Sequence, residues 1–361
     1  MSVIKEHTAH LAAAAHALAA IRNASAHALI TEREVAGKIA WSMTLHAAQQ
    51  ALSTVQDCCQ SFALGEAPGA PHCGDEGVHI DAHFAALRHS MQALASLGLW
   101  AKSELAAQKV LWLLPAMQSG CQRLEGQVLP AQWDCPELPG RPEQLEIVDY
   151  VRYELDRDYP RRKLHQQIFN VEVCAGEVCA MLVLRFPELP GAVAESLTLQ
   201  CAEEFRHAQL LLGALANEGG RIGETPVSLG IWKSCRAAQN AADCIGLEQV
   251  IGEGFSLGAD LYYAELYRAI GRADISLLHE CIYIDEVNHV KNGLASFHTL
   301  LGAQAVQRLR TLEESSKVSV IGGRFFNAAA RQYVGFSATE IERQRDRSQA
   351  VELPDLQGMM E

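Results

Sequence analysis

The sequence predicts an all-α protein in which an N-terminal helical domain precedes a four-helix bundle built around a metal centre. Three observations lead there. Long Ala- and Leu-rich runs repeat their apolar residues at helical spacing, and strand-like alternation is missing. Four strongly periodic segments in the second part are joined by two short turns and one long crossover, the wiring of two antiparallel hairpins. An acid-Glu-x-x-His unit occurs twice, at Glu203-Glu204-Phe205-Arg206-His207 and at Asp285-Glu286-Val287-Asn288-His289.

Residues 1–130 form the expected N-terminal domain, with helices near 3–23, 31–64, 78–97 and 102–127. The Gly- and Pro-rich stretch 64–77 reads as a loop. His79 and His83 stand four apart here, but no carboxylate or Cys set completes a site, so they read as ordinary surface or core histidines. Between Pro130 and Pro142 several prolines forbid a continuous helix and mark a boundary. The bundle is expected over 140–302, with helices at about 163–186, 191–217, 243–270 and 274–302, and a tail over 303–361 carries short helices near 303–312 and 337–348. The turns at Phe186–Gly191 and Gly271–Asp274 are short, whereas the connection from Gly219 past Trp232 is long.

On a helix, positions three apart share a face, so Glu204 with His207, and Glu286 with His289, can each offer a carboxylate and an imidazole to one ion. Each pair falls within an apolar stripe, Leu197, Cys201, Ala208 and Leu211 on one helix and Ile282, Val290, Gly293 and Phe297 on the other. A carboxylate buried there without compensation costs several kcal/mol, and a divalent cation removes that cost. Two such helices, with one further Glu from each of the other two, make the ligand set of the ferritin-like di-iron and di-manganese bundles. The third helix supplies Glu253, which shares a stripe with Val250 and Leu257. The first helix offers Glu172 and Glu177, which lie about 140° apart on a straight helix. Their heights relative to Glu204 favour Glu172, the small-residue setting of Glu177 is similar to that of the first ligand in demethoxyubiquinone hydroxylases, and a helical bulge would bring both near the metals.

From Pro139 to about Phe336 the chain resembles an uncharacterised bacterial family of ferritin-like proteins, and more distantly the di-iron tRNA hydroxylases. The resemblance is carried by Pro139-Gly-Arg-Pro142, Leu184-Arg-Phe-Pro-Glu-Leu-Pro190, Glu203-Glu-Phe-Arg-His-Ala208, Leu261-Tyr-Tyr263, Tyr283-Ile-Asp-Glu-Val-Asn-His-Val290, Arg324-Phe-Phe-Asn327 and Gly335-Phe336. Ile284 stands where that pattern usually has Arg. The resemblance implies two bound iron ions, or an Mn/Fe pair. It also assigns Asp285 to hold His207 and Glu203 to hold His289, since a ligating imidazole gives its other N–H to a carboxylate. Tyr283, close in sequence to the ligands, joins Asp285 and Glu203 as an expected catalytic residue, and Asp260, seven beyond Glu253, is a candidate for the cavity.

The function this implies is O₂-dependent oxidation or hydroxylation of a small organic molecule, with an external electron donor. Metal handling, as a ferroxidase or peroxide scavenger, is the alternative from another class, but a 130-residue extension and a long crossover suit a substrate site better. Hydroxylation of tRNA is the third reading, kept open by Arg152, Arg157, Arg161, Arg162 and Lys163. The net charge of −13 and pI near 5.5 otherwise argue against nucleic acid or an anionic membrane. Eleven cysteines without a Cys-x-x-Cys pair read as reduced thiols. No signal-peptide layout and no apolar run of about 20 residues is evident, so a cytoplasmic location is expected.

Overall fold

The structure, a computed structural model, describes residues 2–61, 78–96, 101–130, 133–151, 156–316 and 320–353. The predicted loop at 64–77 and Arg152 lie outside the described residues. The fold is all-α, and its extended segments are three two-residue pairings: Val78–His79 with Val128–Leu129, Ile147–Val148 with Val227–Ser228, and Ile321–Gly322 with Gln349–Ala350. The chain divides into two compact units, Met1–Arg141 with Cys179–Phe205, and Pro142–Val178 with Arg206–Glu361. The change at Arg141 falls in the expected Pro-rich boundary. The units are otherwise not the consecutive domains 1–130, 140–302 and 303–361, because the division also passes through two long helices.

The first unit is built from α1 (Ser2–Thr31), α2 (Val35–Ser61), α3 (Ile80–Ser96) and α4 (Ala101–Cys121). Helix α1 runs past the polar Asn23 and Ser25 where the sequence suggests a stop, because Ala24 and Ala26 are buried and the Ser25 hydroxyl is satisfied inside the helix by Ile21 O at 2.8 Å. The break comes instead at Glu32, whose carboxylate accepts from the backbone N–H of Arg33 and Glu34 and leads into α2. Carbonyls at the end of α1 are met by the buried Lys38, which donates to Leu29 O, and by the Gly140 N–H, which donates to Ile30 O. The turn Phe186–Pro190 between α6 (Val173–Arg185) and α7 (Gly191–Asn217) belongs to this unit, as does the first part of α7, where Thr198 is hydrogen-bonded to His46 of α2 at 3.1 Å.

In the second unit α5 (Tyr159–Gln166) runs without a break into a π-helical segment, Gln167–Glu172, and then into α6. The crossover after α7 contains α8 (Gly230–Ala237), which the sequence did not announce. A second π segment, Gly246–Gly252, joins α9 (Ala241–Ile245) to α10 (Glu253–Ala269). Asn240 caps α9, accepting from the Asp243 N–H at 2.8 Å, and Arg308 of α12 (Ala305–Ser315) clamps the Asp243 carboxylate through two bonds of 2.6 Å. Helix α10 turns at Gly271, whose φ of 78° favours glycine, and packs antiparallel on α11 (Ala273–Leu301). Helices α13 (Ala328–Val334) and α14 (Ala338–Asp346) complete the unit, with α13 against α11.

One expectation is corrected. Among the described residues, the continuous run Tyr159–Arg185 is long and apolar enough by length and composition to cross a bilayer. Its apolar window is 89% buried in the protein, however, which is how a core helix satisfies the same test. The ten described cysteines are all free thiols, and eight of them are buried.

Candidate metal centre

Helix α7 brings Glu204 and His207 to one face, one turn apart and each 1% exposed. Helix α11 does the same for Glu286 and His289, which are 3% and 2% exposed. Both π segments end at the remaining carboxylates. Glu172 is the last residue of the first, and Glu253 follows directly after the second. A π turn widens the helix, and such segments recur at functional sites.

The six side chains make two groups that could each hold a metal ion: Glu172, Glu204, His207 and Glu286, and Glu204, Glu253, Glu286 and His289. Within each group the offered ligand atoms lie within 4.8 Å of one another. Each group has its own Glu and its own His, and the two share Glu204 and Glu286. His207 Nδ1 is 3.3 Å from Glu172 Oε2 and 3.5 Å from Glu286 Oε1, and His289 Nδ1 is 3.1 Å from Glu286 Oε2. The imidazole centroids are 5.9 Å apart.

The other nitrogen of His207, Nε2, lies 3.1 Å from Asp285 Oδ2, the partner expected from the resemblance. Arg206 donates to the same oxygen at 2.6 Å. Burial works to raise the Asp285 carboxyl, but the His207 hydrogen bond and the charges of His207 and Arg206 outweigh it and hold the group below its ordinary value. With Nε2–H donating to Asp285, a cation that replaces the Nδ1 proton would leave a neutral ring whose Nδ1 lone pair faces the ion between Glu172 and Glu286. Asp285→Asn should therefore keep the fold while metal affinity drops roughly 10- to 100-fold. Competition with a chromophoric chelator measures this, and an unchanged affinity would exclude the role.

Two orienting residues escaped sequence reading. Gln167 donates its amide to Glu172 Oε1 at 3.1 Å, and Gln200 donates to Glu204 Oε1 at 3.0 Å. Gln200 stands four before Glu204, an ordinary helical neighbour. Gln167 stands five before Glu172, and the wider π turn brings that pair onto one side. The same geometry separates the two helix-one candidates. The π segment stops at Glu172, the helix is α from Val173, and Glu177 is left about 140° around. Glu177 is fully buried but belongs to neither group.

The other expected residues are placed as follows. Glu203 is half-buried on α7, and its charge and that of Glu195 partly offset the burial that lowers the pKa of His46. Tyr283 is half-buried and its hydroxyl accepts from Asn327 Nδ2 at 2.7 Å, a contact that links two of the motifs carrying the resemblance. Of the basic residues near α5, Arg161 pairs with Asp158 and Glu224, and Arg162 with Asp156. Lys163 lies 4.7 Å above the Tyr263 ring.

A cavity of about 690 Å³ opens beside the centre, and Glu172, Glu253 and Glu286 form part of its wall. Gly230, Ile231, Ser234 and Cys235 of the crossover line it, as do Val171, Leu247 and Phe255. Trp232 is fully buried beside these crossover residues and is not itself among the lining. Tyr263 rather than Tyr283 lines the cavity, and Asp260 does so as well.

Residues 84–342 match a family described as a protein family of unknown function, DUF455. The match covers well over half of the chain, which therefore belongs to that family. No curated protein and no solved structure matches it.

Proposed function

We propose that this DUF455 member is a ferritin-like di-metal oxidoreductase that uses O₂ to oxidise or hydroxylate a small, largely apolar organic molecule. The observation that carries the reading is the cavity, whose wall includes three of the six clustered side chains. A storage protein has no need of a cavity of this size, part apolar and part polar, beside its metal ligands. Glu172 with His207 would hold one ion and Glu253 with His289 the other, with Glu204 and Glu286 shared between them. An iron pair in such a set supplies one-electron redox chemistry toward O₂, and an Mn/Fe pair is compatible with the same donors.

The chain's own residues do the rest. Gln167, Gln200 and Asp285 orient Glu172, Glu204 and His207 by hydrogen bonds, so each presents one fixed atom to the ions. Glu203 is assigned the same task for His289. With a substrate in the cavity, Val171, Ile231, Leu247 and Phe255 would pack against its apolar part and limit the water beside the centre. Electrons come from an external donor.

The test is to load the protein anaerobically with Fe(II), count the ions, and follow O₂ consumption optically against a panel of small apolar metabolites. Two ions per chain and an O₂ uptake that a particular organic molecule accelerates are the expected results. Many iron equivalents per chain deposited as mineral, with no organic molecule affecting the rate, would replace this reading with storage.

A further inference from the structure

Asp260 and His279 form a buried pair that the metal centre does not use. They sit on facing helices, α10 and α11, each seven residues from a cluster carboxylate, Glu253 or Glu286, on the side of the Gly271 turn. Seven residues of helix span about 10 Å. His279 is fully buried and Asp260 is 4% exposed. His279 Nδ1 donates to Asp260 Oδ1 at 3.0 Å. Its ring stacks on Tyr267 at 5.4 Å with planes 12° apart, and Tyr263 packs at 5.3 Å on a tilted ring. Tyr267 is itself anchored, donating its hydroxyl to Pro160 O at 2.9 Å. The imidazole is thus held in one orientation, and it holds one carboxylate oxygen.

The other oxygen, Asp260 Oδ2, has no hydrogen-bond partner among the described residues, and Asp260 lines the cavity. The cavity wall combines apolar side chains, Val171, Ile231, Leu247 and Phe255, with polar ones that include Lys163, Ser234 and Ser256. A carboxylate oxygen facing such a cavity is an acceptor for a ligand donor, because an unmade hydrogen bond there costs more than a made one returns. We propose that Asp260, held by His279, is the specificity-determining anchor of the cavity and accepts a hydrogen bond from a hydroxyl or N–H group of an otherwise apolar small molecule. The substrate class that follows is an alcohol, phenol or amine-bearing compound whose donor group lies about 10 Å along the helix axis from the level of Glu253 and Glu286. This substrate class rests on the oxidoreductase reading, whereas the anchor itself does not.

The Zn(II)-loaded protein separates the two, since zinc supports no O₂ chemistry. Phenol and toluene, nearly the same shape with and without a donor, are titrated into it calorimetrically. The double variant Asp260→Leu/His279→Phe removes both partners together and leaves no orphaned polar group. The phenol-to-toluene affinity ratio should fall about 10-fold in the variant, the size of one hydrogen bond. A ratio unchanged within about twofold, or no binding of either probe to the wild type, overturns the proposal. Should the variant not fold, the wild type decides alone. Its downfield His279 Nδ1–H proton signal, identified by its absence in His279→Gln, should shift on phenol saturation and stay still with toluene. A signal indifferent to phenol also overturns it. A positive result without O₂ uptake by the iron-loaded protein would keep the anchor and discard the oxidoreductase reading.

Discussion

Replacing Glu204 and Glu286 together by Gln should take the protein from two bound ions per chain to none. These are the two side chains common to both groups, so no other pair of substitutions touches each ion twice. Gln keeps the volume and removes the charge, which separates loss of ligand from loss of packing. Both residues are buried, at 1% and 3% exposure, among other carboxylates. In the metal-free state their mutual repulsion and desolvation oppose folding. The metal-free variant should therefore melt at or above the metal-free wild type. The metal-loaded wild type should gain about 4 kcal/mol per bound ion at a free metal concentration of a thousand times Kd, a gain absent from the variant. Elemental analysis after anaerobic loading, paired with calorimetry, reads both. A variant that still carries two ions per chain would refute the centre.

The second large effect is expected at Gly293 on α11. A Cβ built there meets Gln249 Cβ at 2.5 Å and Gln249 O at 2.8 Å, contacts that real side chains do not tolerate. Gln249 belongs to the π segment that ends immediately before Glu253. Gly293→Val must push α11 away from that segment, at a cost of about 3 kcal/mol. It should also weaken binding of the ion that Glu253 and His289 would hold, because these two ligands ride on the elements being separated. Gly213→Ala on α7 is the contrast. Its new methyl meets nothing within 4 Å, so the helical gain of roughly 0.5–1 kcal/mol should appear as stabilisation. Thermal denaturation of both variants, with metal counted in the first, checks the pair. Equal melting temperatures would mean that α11 can yield at no cost.

What the sequence determined by itself follows from periodicity and charge. Helical spacing is local, so α7 was legible to the residue as 191–217, and the two Glu-x-x-His pairs were placed on their helices without any tertiary information. The apolar stripes around them also foretold that Glu204, His207, Glu286 and His289 would be buried. The choice between Glu172 and Glu177 was not legible, since it depends on where a helix widens, and a π turn has no compositional signature that distinguishes it from the α turns beside it. Gln167 escaped for the same reason: at α spacing it points away from Glu172. Asp260 and His279 are nineteen residues apart and meet only because α10 and α11 fold back at Gly271, so their pairing belongs to the tertiary structure. The grouping of Cys179–Phe205 with the N-terminal helices is of the same kind. A long helix carries one pattern along its length, while its neighbours change from one end to the other, and only the packed chain decides where.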